Sequence, residues 1–143
     1  MRDWWTPADG KTFEERAACV DTQYSNYTAI ADVKISGKLT LGENVADNGG
    51  LRLAWMALME QMKAKAIASA DGFTPEQQFF IGWGQMWCEN RSEEIARLHA
   101  KTNSHSPGKY RTNGVVANMP EFAKAFSCPA NSPMVSQPVC RVW

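Results

Sequence analysis

Apolar residues recur along this chain at helical rather than strand spacing. Phe13, Ala17, Val20 and Tyr24 follow one another at intervals of four, three and four, which lines one face of an α-helix. Thr6-Pro7 supplies a start signal, a capping hydroxyl followed by a proline whose fixed φ suits the first helical position. The pattern predicts a helix over roughly 6–24. Residues 28–41 mix β-branched residues with Gly37 and predict an irregular loop with a short extended piece at Lys38 to Leu41. A second run, Leu51, Trp55, Leu58 and Met62, predicts a long helix from Glu43 to about Ala68. Gly49 and Gly50 inside it cost about 1 kcal/mol each relative to alanine. Their backbone is therefore expected to meet a close neighbour, with another helix packed beneath them as one candidate.

Thr74-Pro75-Glu76-Gln77 is a capping box with proline at the first helical position, and it opens a helix through about Asn90. Phe80, Trp83 and Trp87 form an aromatic stripe on it, a pattern that belongs to a core face more often than to a binding wall. Ser92 predicts a cap for a short helix over 93–101, and Asn118 with Glu121 predicts another capping box before Phe122 and Phe126. The chain is expected to be mainly α, without internal repeats.

Composition changes this picture little. At 143 residues, 44% apolar and with six tryptophans, the chain suffices for one hydrophobic core. Fifteen basic side chains balance fifteen acidic ones, which gives no electrostatic footprint for nucleic acid or an anionic membrane surface. No run of 18 apolar residues occurs, and Met1 to Gly10 has no charged segment followed by an apolar one, so no membrane span or signal peptide is expected in this segment. Cys19, Cys88, Cys128 and Cys140 share no C-x-x-C spacing, against a zinc ribbon or a redox pair. Disulfides are the better reading, and the residues themselves leave every pairing open.

The candidate chemistry lies in Leu41-Gly42-Glu43-Asn44-Val45-Ala46-Asp47-Asn48-Gly49-Gly50-Leu51. Glu43 and Asp47 fall on one helix face a turn apart, so the first can coordinate a cation while the second orients a neighbouring ligand. Two acids opening a helix also simply complement its dipole, by about 0.3–1 kcal/mol each. The whole string decides between these, because G-E-N-x-A-D-N-G-G-L resembles the third-ligand helix of the neprilysin and endothelin-converting-enzyme family of zinc peptidases. The resemblance runs in order along the chain: Asp3-Trp4-Trp5-Thr6, then Gln78-Phe79-Phe80, Gln85-Met86-Trp87-Cys88, His105-Ser106-Pro107-Gly108 with Tyr110-Arg111, and Cys140-Arg141-Val142-Trp143.

This resemblance implies that residues 1–143 form the C-terminal helical part of a thermolysin-like metallopeptidase catalytic domain, with a short extended segment before the Glu43 helix. Family members carry an H-E-x-x-H helix shortly before the D-W-W segment, and in this sequence no histidine precedes His99. The complete enzyme would hold one Zn2+, with Glu43 as its third protein ligand and Asp47 orienting one of the two zinc-binding histidines. His105 would hydrogen-bond the oxyanion of the tetrahedral intermediate, and Arg111 would grip a backbone carbonyl of the substrate. Met86 and Trp87 would wall the pocket for the apolar side chain after the scissile bond. Many relatives carry aspartate two residues before the histidine, where this chain has Asn103, a weaker support for an imidazolium. The family pattern joins Cys19 to Cys140 and sends Cys88 and Cys128 to an N-terminal lobe.

The implied partners are peptide substrates and the remaining N-terminal part of the same peptidase, with no nucleic acid and no membrane contact from this segment. The implied setting is extracellular, periplasmic or a membrane-anchored ectodomain. The chain alone, without H-E-x-x-H, is expected to be inactive. The competing reading is a free-standing, non-catalytic helical module descended from such an enzyme.

Overall fold

The computed structural model describes residues 5–143, so Asp3 and Trp4 of the D-W-W-T segment lie outside the described residues. Helix α1, Pro7–Ser25, starts as its sequence predicts: the Thr6 hydroxyl accepts from the Asp9 N–H and Pro7 occupies the first turn. Its apolar stripe puts Ala17, Val20 and Tyr24 in the core, with Phe13 half-buried beside Trp143.

Strands β1, Thr28–Ile30, and β2, Val33–Lys34, form a small antiparallel hairpin with Thr28 opposite Lys34 and Ile30 opposite Val33. Its turn places Ala31 at φ 45°, in the left-handed region that favours glycine. Extended structure therefore lies at 28–34 and not at Lys38 to Leu41, which are helical. Helix α2, Gly37–Ala64, begins six residues earlier than the Glu43 start that the sequence suggests and ends four before Ala68. The cause is local. Ser36 caps α2 by accepting from the Leu39 N–H, and Gly37 is there for contact rather than flexibility: a Cβ at that position would sit 2.2 Å from the Asp21 carbonyl oxygen of α1.

Helix α2 runs through two cores. Its first half packs Val45 among Ala17, Val20, Tyr24, Ile35, Cys140 and Val142. Its second half packs Leu51 and Trp55 against Phe80, Val115, Val116 and Met119, with Leu58 half-buried at the edge. Gly49 is approached closely, but by the indole of Trp143, which a Cβ there would meet at 2.6 Å. Gly50 has open space around it within the described residues.

Helix α3, Pro75–Met86, has the complete capping box, with Gln77 and Thr74 exchanging side-chain and backbone bonds, and stops at Trp87 rather than Asn90. Helix α4, Glu93–Thr102, is capped by Ser92 and lies against the hairpin. Helices α5, Gly108–Val116, and α6, Pro120–Ala125, complete the chain. The Asn118–Glu121 capping box does not form. Met119 precedes α6 without a side-chain cap, and Asn118 is instead a buried hub. Asn118 donates to Gln23, Asn48 and the Gly114 carbonyl, and accepts from the Cys140 N–H. A disulfide joins Cys19 to Cys140, tying α1 to the tail, while Cys88 and Cys128 are free thiols. No helix among the described residues is long and apolar enough to cross a membrane.

Candidate active site

The site residues come from two segments that the fold lays side by side. The first half of α2 presents Glu43 and Asp47, and the loop before α5 with that helix's first turn presents His105 and Arg111. Arg111 donates two hydrogen bonds to Asp47, Nε to Oδ2 at 2.6 Å and Nη2 to Oδ1 at 2.7 Å. This bidentate pair is the stronger kind of charged contact. The guanidinium lies 3.7 Å from the centroid of the Trp87 ring, a cation–π stack at the close end of the range. The bonds to Asp47 hold Arg111 still further toward its charged form, against the opposing effect of burial. The Arg111 carbonyl accepts from the Trp83 indole N–H, so the backbone of that turn is anchored as well.

Glu43 is placed differently. Its Oε2 is 3.1 Å from His105 Nε2 and 4.0 Å from Arg111 Nη2. On the far side of the ring, His105 Nδ1 faces Asn103 Oδ1 at 3.0 Å, and that same oxygen accepts from the His105 backbone N–H, which fixes the orientation of the amide. Both ring nitrogens thus face side-chain oxygens. Asn103 thus orients the ring through an uncharged amide.

Trp87, His105 and Arg111 line one cleft of about 240 Å³ together with Glu89, Arg91, Asn103, Ser106 and Gly108. Met86, 61% exposed, ends α3 beside it. Glu89 was not singled out by its sequence context. Its carboxylate accepts from the Gly108 N–H at 2.8 Å, at the start of α5, and pairs with Arg91. Asn44 and Ser106, each next to a site residue, carry no sequence signal of their own. They meet in the interior through a 2.7 Å hydrogen bond. Among the described residues no group of three or more His, Cys, Asp or Glu side chains is arranged to hold a metal ion.

Residues 1–142 match peptidase family M13. The chain belongs to that family. Over its whole length it is 41% identical to Neprilysin-1 of Caenorhabditis elegans and 38% identical to endothelin-converting enzyme 1 of Rattus norvegicus. It covers 20% and 19% of those two proteins. It therefore spans about a fifth of the length of the curated relatives it matches. Its fold is similar to that of the zinc metalloprotease Zmp1 of Mycobacterium tuberculosis in complex with inhibitor, with a TM-score of 0.88 at 33% identity. That match covers 100% of this chain and 23% of the Zmp1 chain. The PepO structure from Lactobacillus rhamnosis HN001 is similar too, with a TM-score of 0.79 at 29% identity over 96% of this chain and 20% of PepO. This mainly α segment thus has the fold of the corresponding part of M13 peptidase structures, one of which is a zinc metalloprotease.

Proposed function

We propose that this chain is the part of a zinc metalloendopeptidase, acting on short peptides, that supplies one metal ligand and the residues that hold the substrate and the developing oxyanion. The observation that carries this reading is the convergence of Glu43, His105, Arg111 and Asp47 within hydrogen-bond reach at the edge of one cleft. The four come from two segments far apart in the chain, Asp47 and Arg111 being separated by 64 residues.

The donor chemistry fits zinc in part. Glu43 offers one oxygen donor at an accessible position, while both oxygens of Asp47 are engaged by Arg111. Catalytic zinc takes three protein ligands, and in this reading Glu43 is one of them. Bound zinc supplies Lewis acidity toward a peptide carbonyl and a water of lowered pKa. The chain's own residues do the rest. His105, oriented by Asn103, donates a hydrogen bond to the oxygen on which negative charge develops, an interaction of most value in a cleft that excludes water. Arg111, fixed in plane by Asp47 and Trp87, offers its remaining donors to a substrate carbonyl. Asp47, by accepting from Arg111, joins substrate binding to the helix that bears Glu43, and its unused lone pairs can orient a neighbouring histidine ligand. Trp87 and Met86 present the apolar wall beside them.

The test is direct. The 143-residue chain alone is expected to bind zinc weakly and to cleave no peptide, whereas a longer polypeptide that joins it to an H-E-x-x-H helix cleaves peptides until a chelator is added. Dialysed 143-residue protein that kept stoichiometric zinc and cleaved a peptide in a chelator-sensitive way would refute the proposal.

A further inference from the structure

Glu43 and His105 meet at the rim of the cleft, where each is about half-exposed. One residue further along both segments the situation reverses. Asn44 is 1% exposed and Ser106 3% exposed, and the Ser106 hydroxyl donates to Asn44 Oδ1 at 2.7 Å. The bond does not stand alone. Asn44 Nδ2 donates to Thr40 Oγ1 at 2.8 Å, and Thr40 Oγ1 donates to the Ser36 carbonyl at 3.0 Å. A buried polar chain thus runs from the His105 loop into α2 and back to its first turn. Asparagine in a helix interior is a poor helix former, and a buried amide must be hydrogen-bonded to be tolerated. Here both of its ends are satisfied.

We propose that the buried Ser106–Asn44 hydrogen bond sets the separation between Glu43 and His105, which makes Ser106 a positioning residue of the reaction. The inference rests on the roles of Glu43 and His105 proposed above. Because 43 precedes 44 and 105 precedes 106, one fixed interior contact holds the two backbones in register. The side chains that do chemistry then need no strong contact of their own. Removing the hydroxyl leaves Asn44 Oδ1 buried without its partner, and the least costly remedy is for the His105 loop to lift so that water enters.

The experiment uses the complete peptidase carrying this segment. Ser106→Ala is expected to keep zinc and KM and to lose at least about 10-fold in kcat, with up to about 100-fold corresponding to a displacement near 1 Å. In its crystal structure the His105 loop should stand further from α2. In a cycle with His105→Ala, the double variant should lose no more than His105→Ala alone, since residues acting as one unit are not additive. A role confined to stability would leave kcat of the folded enzyme unchanged. If Ser106→Ala fails to fold, Ser106→Thr, which keeps the hydroxyl, should retain kcat. Wild-type kcat in Ser106→Ala, losses that multiply in the cycle, or a 10-fold loss in Ser106→Thr overturns the positioning role alone. Undiminished kcat in His105→Ala overturns the proposed function, and this inference with it.

Discussion

At one end of the cleft Asp47 is 10% exposed and gives both oxygens to Arg111, while one turn earlier Glu43, 40% exposed, faces His105 through a single contact. Both are carboxylates on the same face of the same helix, opposite cationic or ionisable partners from the same loop and helix. The difference lies in what surrounds them. The Asp47 end is backed by Trp87 on one side and by Tyr24 of α1 on the other, so its charges are desolvated and locked. The Glu43 end opens to solvent within this chain, and its geometry is kept by the interior bond one residue away. A fixed end suits substrate binding, and an adaptable carboxylate suits a ligand that must accept a metal.

The fixed end rests on α1, and α1 is tied to the tail by Cys19–Cys140 across 121 residues. In the chain-entropy view a loop of that length stabilises the fold by roughly 4–5 kcal/mol. Urea unfolding with and without reductant is expected to differ by an amount of that order, with Cys88 and Cys128 titrating as free thiols before reduction. Unchanged midpoints would mean that packing alone holds α1 beneath the site.

Next in size is the contrast between the two acids. Asp47→Ala is expected to cost about 2–4 kcal/mol, because it leaves a mostly buried guanidinium without its partner. Glu43→Ala should change stability by less than about 1 kcal/mol, as exposed pairs usually do. Equal losses in chemical denaturation would erase the distinction between the two ends.

The sequence made much of this legible where local chemistry decided the outcome. The Thr6-Pro7 start, the Thr74–Gln77 box and the Ser92 cap all act within one turn, and each forms as its residues predict. The start of α2 is not legible because Gly37 and its β-branched neighbours resemble a loop, and the glycine is explained by the approach of Asp21 and Ser25 of α1. The Asn118 cap failed for a related reason: its side chain serves the tail and α1, partners more than 20 and 90 residues away. Motif resemblance picked out Glu43, Asp47, His105 and Arg111, yet nothing in it told that Asp47 and Arg111 pair with each other, since a contact between residues so far apart leaves no local periodicity. Asn44 and Ser106 lie inside the same motifs, but a buried polar residue shows its role only once its burial is known.

A smaller effect should appear in alkali. Burial pushes the Tyr24 phenol well above its usual value, with Tyr27 shifted in the same direction. Below about pH 10 the protonated phenol's contribution is fully present. Above that the unfolded chain ionises while Tyr24 does not, so stability falls as pH rises. Tyr24→Phe should flatten that decline by up to about 1.4 kcal/mol per pH unit. An identical slope in the variant would place the alkaline sensitivity elsewhere.

The division between a metal ligand and an oxyanion donor at the open end is the central claim, and metal analysis of two variants of the complete peptidase tests it most directly. Glu43→Ala is expected to lose zinc and activity together. His105→Ala is expected to keep stoichiometric zinc while kcat falls on the order of 10²–10³. Zinc retained by Glu43→Ala, or lost from His105→Ala, would contradict the account.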